Sequence, residues 1–263
     1  MSSLSYAMSD SATMLRRNLR HMLRYPSMTL MLIGLPVIFL LLFVYVFGGT
    51  LGAGLGGASG GRAEYVGYVT PGIILMSVAT AATGTAVSVA MDTTEGIVAR
   101  FRTMAISRAS VLTGHVVASV IQTLICMAAV IVVALGIGFR PTAGPVEWLA
   151  TAGILALFVF ALTWLSVALG LVAKTVEAAS NTPMPLTLLP FLGSGFVPTD
   201  SMPTGLRWFA DYQPFTPVIE TVRGLLLGGP VGASATRSVL WCIGIALVGY
   251  LWAKRLFNRD PSR

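Results

Sequence analysis

The side chains able to bind a metal, move a proton or attack as nucleophiles are few and dispersed in these 263 residues. His21 and His115 lie on separate segments, and each reads as an interfacial or packing histidine rather than a ligand. Cys126 and Cys242 sit in apolar runs, with neither a disulfide framework nor metal-ligand spacing. No His-Glu-x-x-His and no Gly-x-Ser-x-Gly occurs. The stretch 48–61 holds eight glycines in fourteen residues, but it follows an apolar run and not a strand. A flexible loop is expected there, not a phosphate cradle. Lys174-Thr175 is preceded by Ala173, so the Walker A Gly-Lys-Thr is missing. The expectation is a chain with no catalytic residue, no metal site and no cofactor of its own.

Binding chemistry remains. Between two apolar runs lies a polar segment, 92–108, that includes Asp92, Glu95, Gly96, Ile97, Arg100, Phe101, Arg102, Met104 and Arg108. Asp92 and Glu95 are spaced as a capping box for a short helix. Ile97, Phe101 and Met104 then share one face, with Glu95 and Arg102 opposite, a pattern suited to docking in a partner's groove. The spacing is equally compatible with a solvated, positively charged loop.

The elements that position these residues are apolar. The chain is 55% hydrophobic and only 10% charged, with mean hydropathy +0.81, whereas a soluble domain is about a quarter charged. The bilayer is therefore its expected solvent. Six runs are expected to span it: 27–47, 69–91, 111–139, 148–172, 176–197 and 239–257. The first is uncharged and holds Pro36, which predicts a kink. The second is rich in Ala, Gly, Ser and Thr, which predicts close packing inside a bundle. The fifth is the weakest, broken by Pro183, Pro185 and Pro190. Ahead of them Met8, Ala12, Leu15, Leu19 and Met22 recur with helical period over 8–25, which predicts an amphipathic helix on the inner leaflet.

Six spans place both termini on one side. Of the 17 Lys and Arg residues, only Arg62, Arg140, Arg207, Arg223 and Arg237 fall in the opposite gaps, so the positive-inside rule puts the termini in the cytoplasm. The surplus of +7 follows from that topology and from lipid contact, not from nucleic acid. The confident spans are almost free of ionisable groups, unlike proton-driven carriers, so the energy source is expected elsewhere.

Glu95-Gly96, Arg100-Phe101-Arg102, Ile106-Ser107-Arg108 and Gly114 resemble the cytoplasmic signature of type-2 ABC transporter permeases. The second half resembles the daunorubicin/doxorubicin-resistance branch. It carries Pro190-Phe-Leu-Gly-Ser-Gly-Phe-Val-Pro198, Met202-Pro203, Gln213-Pro214-Phe215-Thr216-Pro217 and Glu220-Thr-Val-Arg223-Gly-Leu-Leu-Leu-Gly228. Ala105 departs from the Pro that the family often carries there. The resemblance implies an all-α membrane protein forming a single transmembrane domain over 1–263. It has six transmembrane helices, an elbow helix (8–25), a cytoplasmic coupling helix (92–108) and a re-entrant extracellular segment (199–229). Pro198, Pro203, Pro214, Glu220 and Arg223 would then lie in a gate region, although Glu220 and Arg223 could also be an ordinary exposed i, i+3 pair. Implied partners are a cytoplasmic ABC ATPase holding ATP and Mg, a second permease copy and membrane lipids, in the plasma membrane. The implied function is the permease subunit of an exporter of amphiphilic drugs, lipids or glycolipids. The alternatives are a self-sufficient secondary transporter and a membrane-embedded lipid-modifying enzyme.

Overall fold

In α1 (Pro26–Leu42) the helix runs through Pro36 without interruption. The irregularity comes later, as a π-helical turn at Phe43–Phe47 leading into α2 (Gly48–Ala53). The computed structural model describes residues 26–53, 61–94 and 108–258, and every regular element among them is helical. The chain continues through α3 (Arg62–Thr94), α4 (Arg108–Ile137), α5 (Pro145–Val172), α6 (Val176–Asn181) and α7 (Met184–Leu188). A 3-10 turn (Thr199–Ser201) precedes α8 (Thr204–Tyr212), α9 (Phe215–Leu227) and α10 (Gly232–Asn258). The elbow segment 8–25 lies outside the described residues.

Five stretches among the described residues are long and apolar enough to cross a bilayer: Leu32–Gly52, Arg62–Thr94, Val116–Ile137, Pro145–Val172 and Gly232–Phe257. Run 176–197, expected as the weakest and broken by prolines, forms no single spanning helix. Pro183, Pro185 and Pro190 each lack an amide hydrogen, so three backbone donors are lost within a short stretch, where α1 and α3 each run through a single internal proline. Helix α6 starts where the Thr175 hydroxyl accepts from Ala178 N at 3.1 Å. Helix α7 starts with Pro183 at its N-cap, and turns carry the chain on to Phe196.

Helix α3 is the hub. It touches α1, α2, α4, α5, α6, α7 and α9, and its apolar stretch is the most deeply buried of the five. Its small side chains, Ala79, Ala82, Ala86 and Ala90 among them, let neighbours approach closely. The packing inside a bundle expected for run 69–91 is thus present. Helix α10 lies on the outside with its main contact to α5. A side chain at Gly249 would come within 2.6 Å of Leu165 N, so the two backbones meet there. Leu240, Leu247, Val248 and Leu251 on α10 are exposed, as are Leu30, Ile38 and Val46 on the first helix. Such faces suit lipid contact. Both cysteines are fully buried, Cys126 in α4 and Cys242 in α10.

The path of 176–196 can be followed along α3. A side chain at Gly170, near the end of α5, would meet Ala86 of α3. Twenty-six residues later the Tyr65 hydroxyl donates to Phe196 O at 3.2 Å. The broken segment therefore runs from one end of α3 to the other.

Candidate functional site

Helices α8 and α9 form a hairpin whose tip is buried. Phe215, the first residue of α9, meets Phe158 edge-on with ring centroids 5.0 Å apart. At the other end of α9, Leu226 O accepts from Thr142 N at 2.9 Å, in the loop before α5. Phe158 lies thirteen residues into α5, about 20 Å at 1.5 Å per residue. Helix α9, with 13 residues, has about that length. It thus lies along the first half of α5, its N-terminus beside Phe158 and its C-terminus beside the loop before α5.

A buried polar tip needs internal partners, because unsatisfied backbone groups in an apolar medium are costly. Gln213 supplies them. Its Oε1 accepts from Phe215 N at 3.0 Å, and its Nε2 donates to Leu189 O at 3.2 Å and to Thr216 Oγ1 at 2.9 Å. The Thr216 hydroxyl also accepts from Ser194 N at 3.4 Å. One buried amide therefore joins the hairpin tip to the turns after α7. Pro214 and Pro217 fall at the N-cap and in the first turn of α9, where missing amide hydrogens do no harm. Gly228, in the left-handed conformation at φ 77°, ends the helix and donates its N–H to Gly224 O.

The opposite partner is kept slim. A side chain at Gly193 would collide with Gln213 Nε2 and Thr216 Oγ1, and one at Gly72 would lie 2.5 Å from Gly195 O. The string Gly193-Ser194-Gly195 therefore lets backbone meet α3 and the hairpin tip directly.

Arg223 is the second tie. Its Nη2 donates to Tyr68 O at 3.1 Å and Ser194 O at 2.5 Å, and its guanidinium lies 3.8 Å from the centre of the Tyr68 ring. Arg223 thereby donates from α9 to the backbone of α3 one turn before Pro71. Glu220 accepts from the Ser234 hydroxyl of α10 at 3.1 Å. Neither Glu220 nor Arg223 is an ordinary exposed pair: both are half-buried, and neither takes part in the ion pairs among the described residues. Those are Arg207 with Asp200 and Asp211, on the exposed helix α8. Pro198 and Pro203 cap the 3-10 turn and α8.

The structure thus places Pro214, Glu220 and Arg223 at or along α9, with Pro198 and Pro203 in the segment leading to α8. Of the other expected residues, Asp92 lies in the last turn of α3, inside that helix and not at the cap of a following one. Helix α3 is prolonged there by the Thr93 and Thr94 hydroxyls bonding to Val89 O and Ala90 O. Arg108 opens α4. Glu95, Gly96, Ile97, Arg100, Phe101, Arg102 and Met104 lie outside the described residues. Sequence reasoning did not single out Gln213, Thr216, Ser194, Tyr68 or Ser234. The available signal was a glutamine before a proline in an otherwise apolar segment, a pattern that calls for a local cap.

The ABC-2 type transporter family matches residues 11–227. The daunorubicin resistance ABC transporter permease protein DrrB1 of Streptomyces coeruleorubidus is 27% identical over 243 residues, 92% of this chain and 80% of that protein. The probable doxorubicin resistance ABC transporter permease protein DrrC of Mycobacterium tuberculosis is 28% identical over 183 residues, covering 68% and 65%. Nodulation protein J of Rhizobium leguminosarum bv. trifolii is 27% identical over 227 residues, 82% of each.

Proposed function

The chain belongs to the ABC-2 type transporter family, and from that premise we propose that it is the membrane-spanning permease subunit of an ATP-driven exporter. The family match across residues 11–227 carries this reading. ATP and Mg would be held by a separate cytoplasmic ATPase. Nucleotide-driven motion of that partner would reach this chain through segment 92–108, with 8–25 lying on the inner leaflet as an elbow. Segment 176–196 is read as the fifth of six passages, supported by its end-to-end course along α3. Both termini are then cytoplasmic. Segment 199–229 re-enters from outside, supported by the burial of the hairpin tip beside Phe158. Two permease copies would enclose the path, with lipid around them.

Two relatives bear the names of daunorubicin and doxorubicin resistance, so a drug-like amphiphile is the first cargo class to test. Inside-out vesicles containing the permease, with and without a co-expressed ABC ATPase, should accumulate daunorubicin only when both subunits and ATP are present. Accumulation driven by an ion gradient in the permease alone would overturn the reading in favour of a secondary carrier.

A further inference from the structure

Beside α9 lies a cavity of about 400 Å³ lined by Glu220, Arg223, Gly224, Leu227, Pro230 and Ser234. It presents two opposite charges that do not neutralise one another by contact. The Arg223 guanidinium is pinned through Nη2, while its Nε is buried without a hydrogen-bond partner. The Glu220 carboxylate is held through one oxygen by Ser234, and its Oε1 has no donor among the described residues. On one helix face at i and i+3, the two groups are about one turn apart. Counting from the Leu227 end at 1.5 Å per residue, Arg223 lies about 6 Å deep and Glu220 about 10 Å. With 199–229 re-entering from outside, as proposed above, that is the depth of the headgroup layer and its boundary with the hydrocarbon.

We propose that this cavity binds a zwitterionic headgroup, one bearing an ammonium and a phosphate or carboxylate. Arg223 receives the anion and Glu220 the ammonium. A lone anion meets Glu220 and a lone cation meets Arg223, so only a ligand with both poles satisfies both. Glu220 is the deeper group, whereas an upright phospholipid carries its phosphate below its amine. The head therefore lies across the cavity mouth or enters unattached to a leaflet lipid. The inference rests on the re-entrant reading of 199–229 proposed above. It holds whatever the exporter carries.

The test uses the full-length chain. In detergent, titration calorimetry should show saturable binding of phosphoethanolamine, with inorganic phosphate and ethanolamine at least about tenfold weaker, tenfold corresponding to about 1.4 kcal/mol. Glu220→Gln keeps side-chain size and should weaken phosphoethanolamine about tenfold, while phosphate, relieved of the carboxylate's repulsion, should bind no more weakly than to wild type. Ser234→Leu, which crowds the cavity beside Glu220 and removes the hydroxyl that holds its carboxylate, should weaken phosphoethanolamine by at least about tenfold. An unchanged melting temperature separates either effect from unfolding. In phosphatidylglycerol nanodiscs containing phosphatidylethanolamine, native mass spectrometry tells the sources apart. Retention of phosphatidylethanolamine that Glu220→Gln removes identifies a lipid headgroup, and binding confined to the soluble compound identifies a free one. No saturable binding in either arm, or equal binding by wild type and both variants, overturns the proposal.

Discussion

At Gln213 a single amide satisfies the start of one helix and the end of another segment 24 residues away. Replacing it with leucine preserves bulk but strands Phe215 N–H where water is scarce, while Leu189 O keeps Leu192 N as a donor. A buried unsatisfied group costs about 1–3 kcal/mol. Gln213→Leu should therefore lower the thermal midpoint in detergent by several degrees. Gly193→Ala pushes a methyl into the same amide, so it should destabilise by a similar route. The double variant should then fall short of the summed losses, because both attack one contact. Arg223 makes a different case. Lysine keeps the charge but lacks the planar fork that reaches two carbonyls while lying on a tyrosine ring. Arg223→Lys should recover little of the stability lost in Arg223→Ala, measured by the same melt. The sequence marks Arg223 as unusual among apolar neighbours but does not disclose its partners. Tyr68 and Ser194 lie 155 and 29 residues away, and only the packing of α9 against α3 brings them to it.

Among the elements, runs of apolar residues located all five long helices. The runs misjudged length where a helix outlasts the hydrocarbon. Run 69–91 begins at Val69 and ends at Met91, yet α3 extends from Arg62 to Thr94, because backbone hydrogen bonding continues beyond the apolar stretch. Segment 176–197 was recognisable as broken, since its prolines are in plain view, but its course along α3 was not. That course depends on glycine contacts such as Gly72 with Gly195, which are tertiary. The α5–α10 pair is testable at one atom. Gly249→Leu forces a side chain against the Leu165 backbone, and overpacking of this kind costs about 1–3 kcal/mol. Folded yield from detergent extraction should drop, while Gly244→Leu, which meets nothing within 4 Å, should be tolerated. For segment 92–108, a docking helix makes Phe101→Ala more damaging than Arg102→Ala. A buried interface anchor carries about 2 kcal/mol or more, and a charge at a wet rim less than about 1 kcal/mol. Co-purification of the ATPase at matched membrane expression reads the order directly, and undiminished recovery with Phe101→Ala would remove the docking helix.

For the whole molecule, the charge asymmetry predicts that both ends face the cytoplasm. Cysteines placed at Ser3 and Ser262 should react with a membrane-impermeant maleimide in inside-out vesicles and stay protected in intact cells. Labelling of either one from outside would overturn the six-passage topology. Without a Gly-Lys-Thr, the purified chain should also show no saturable ATP binding. These labelling experiments gain from a detail of packing. The two natural thiols have no exposed surface, so the native protein is already a blank background for sulfhydryl chemistry. A reporter cysteine can be read in a chain otherwise unaltered, and any signal from the parent protein would itself record that α4 or α10 had come away from the bundle.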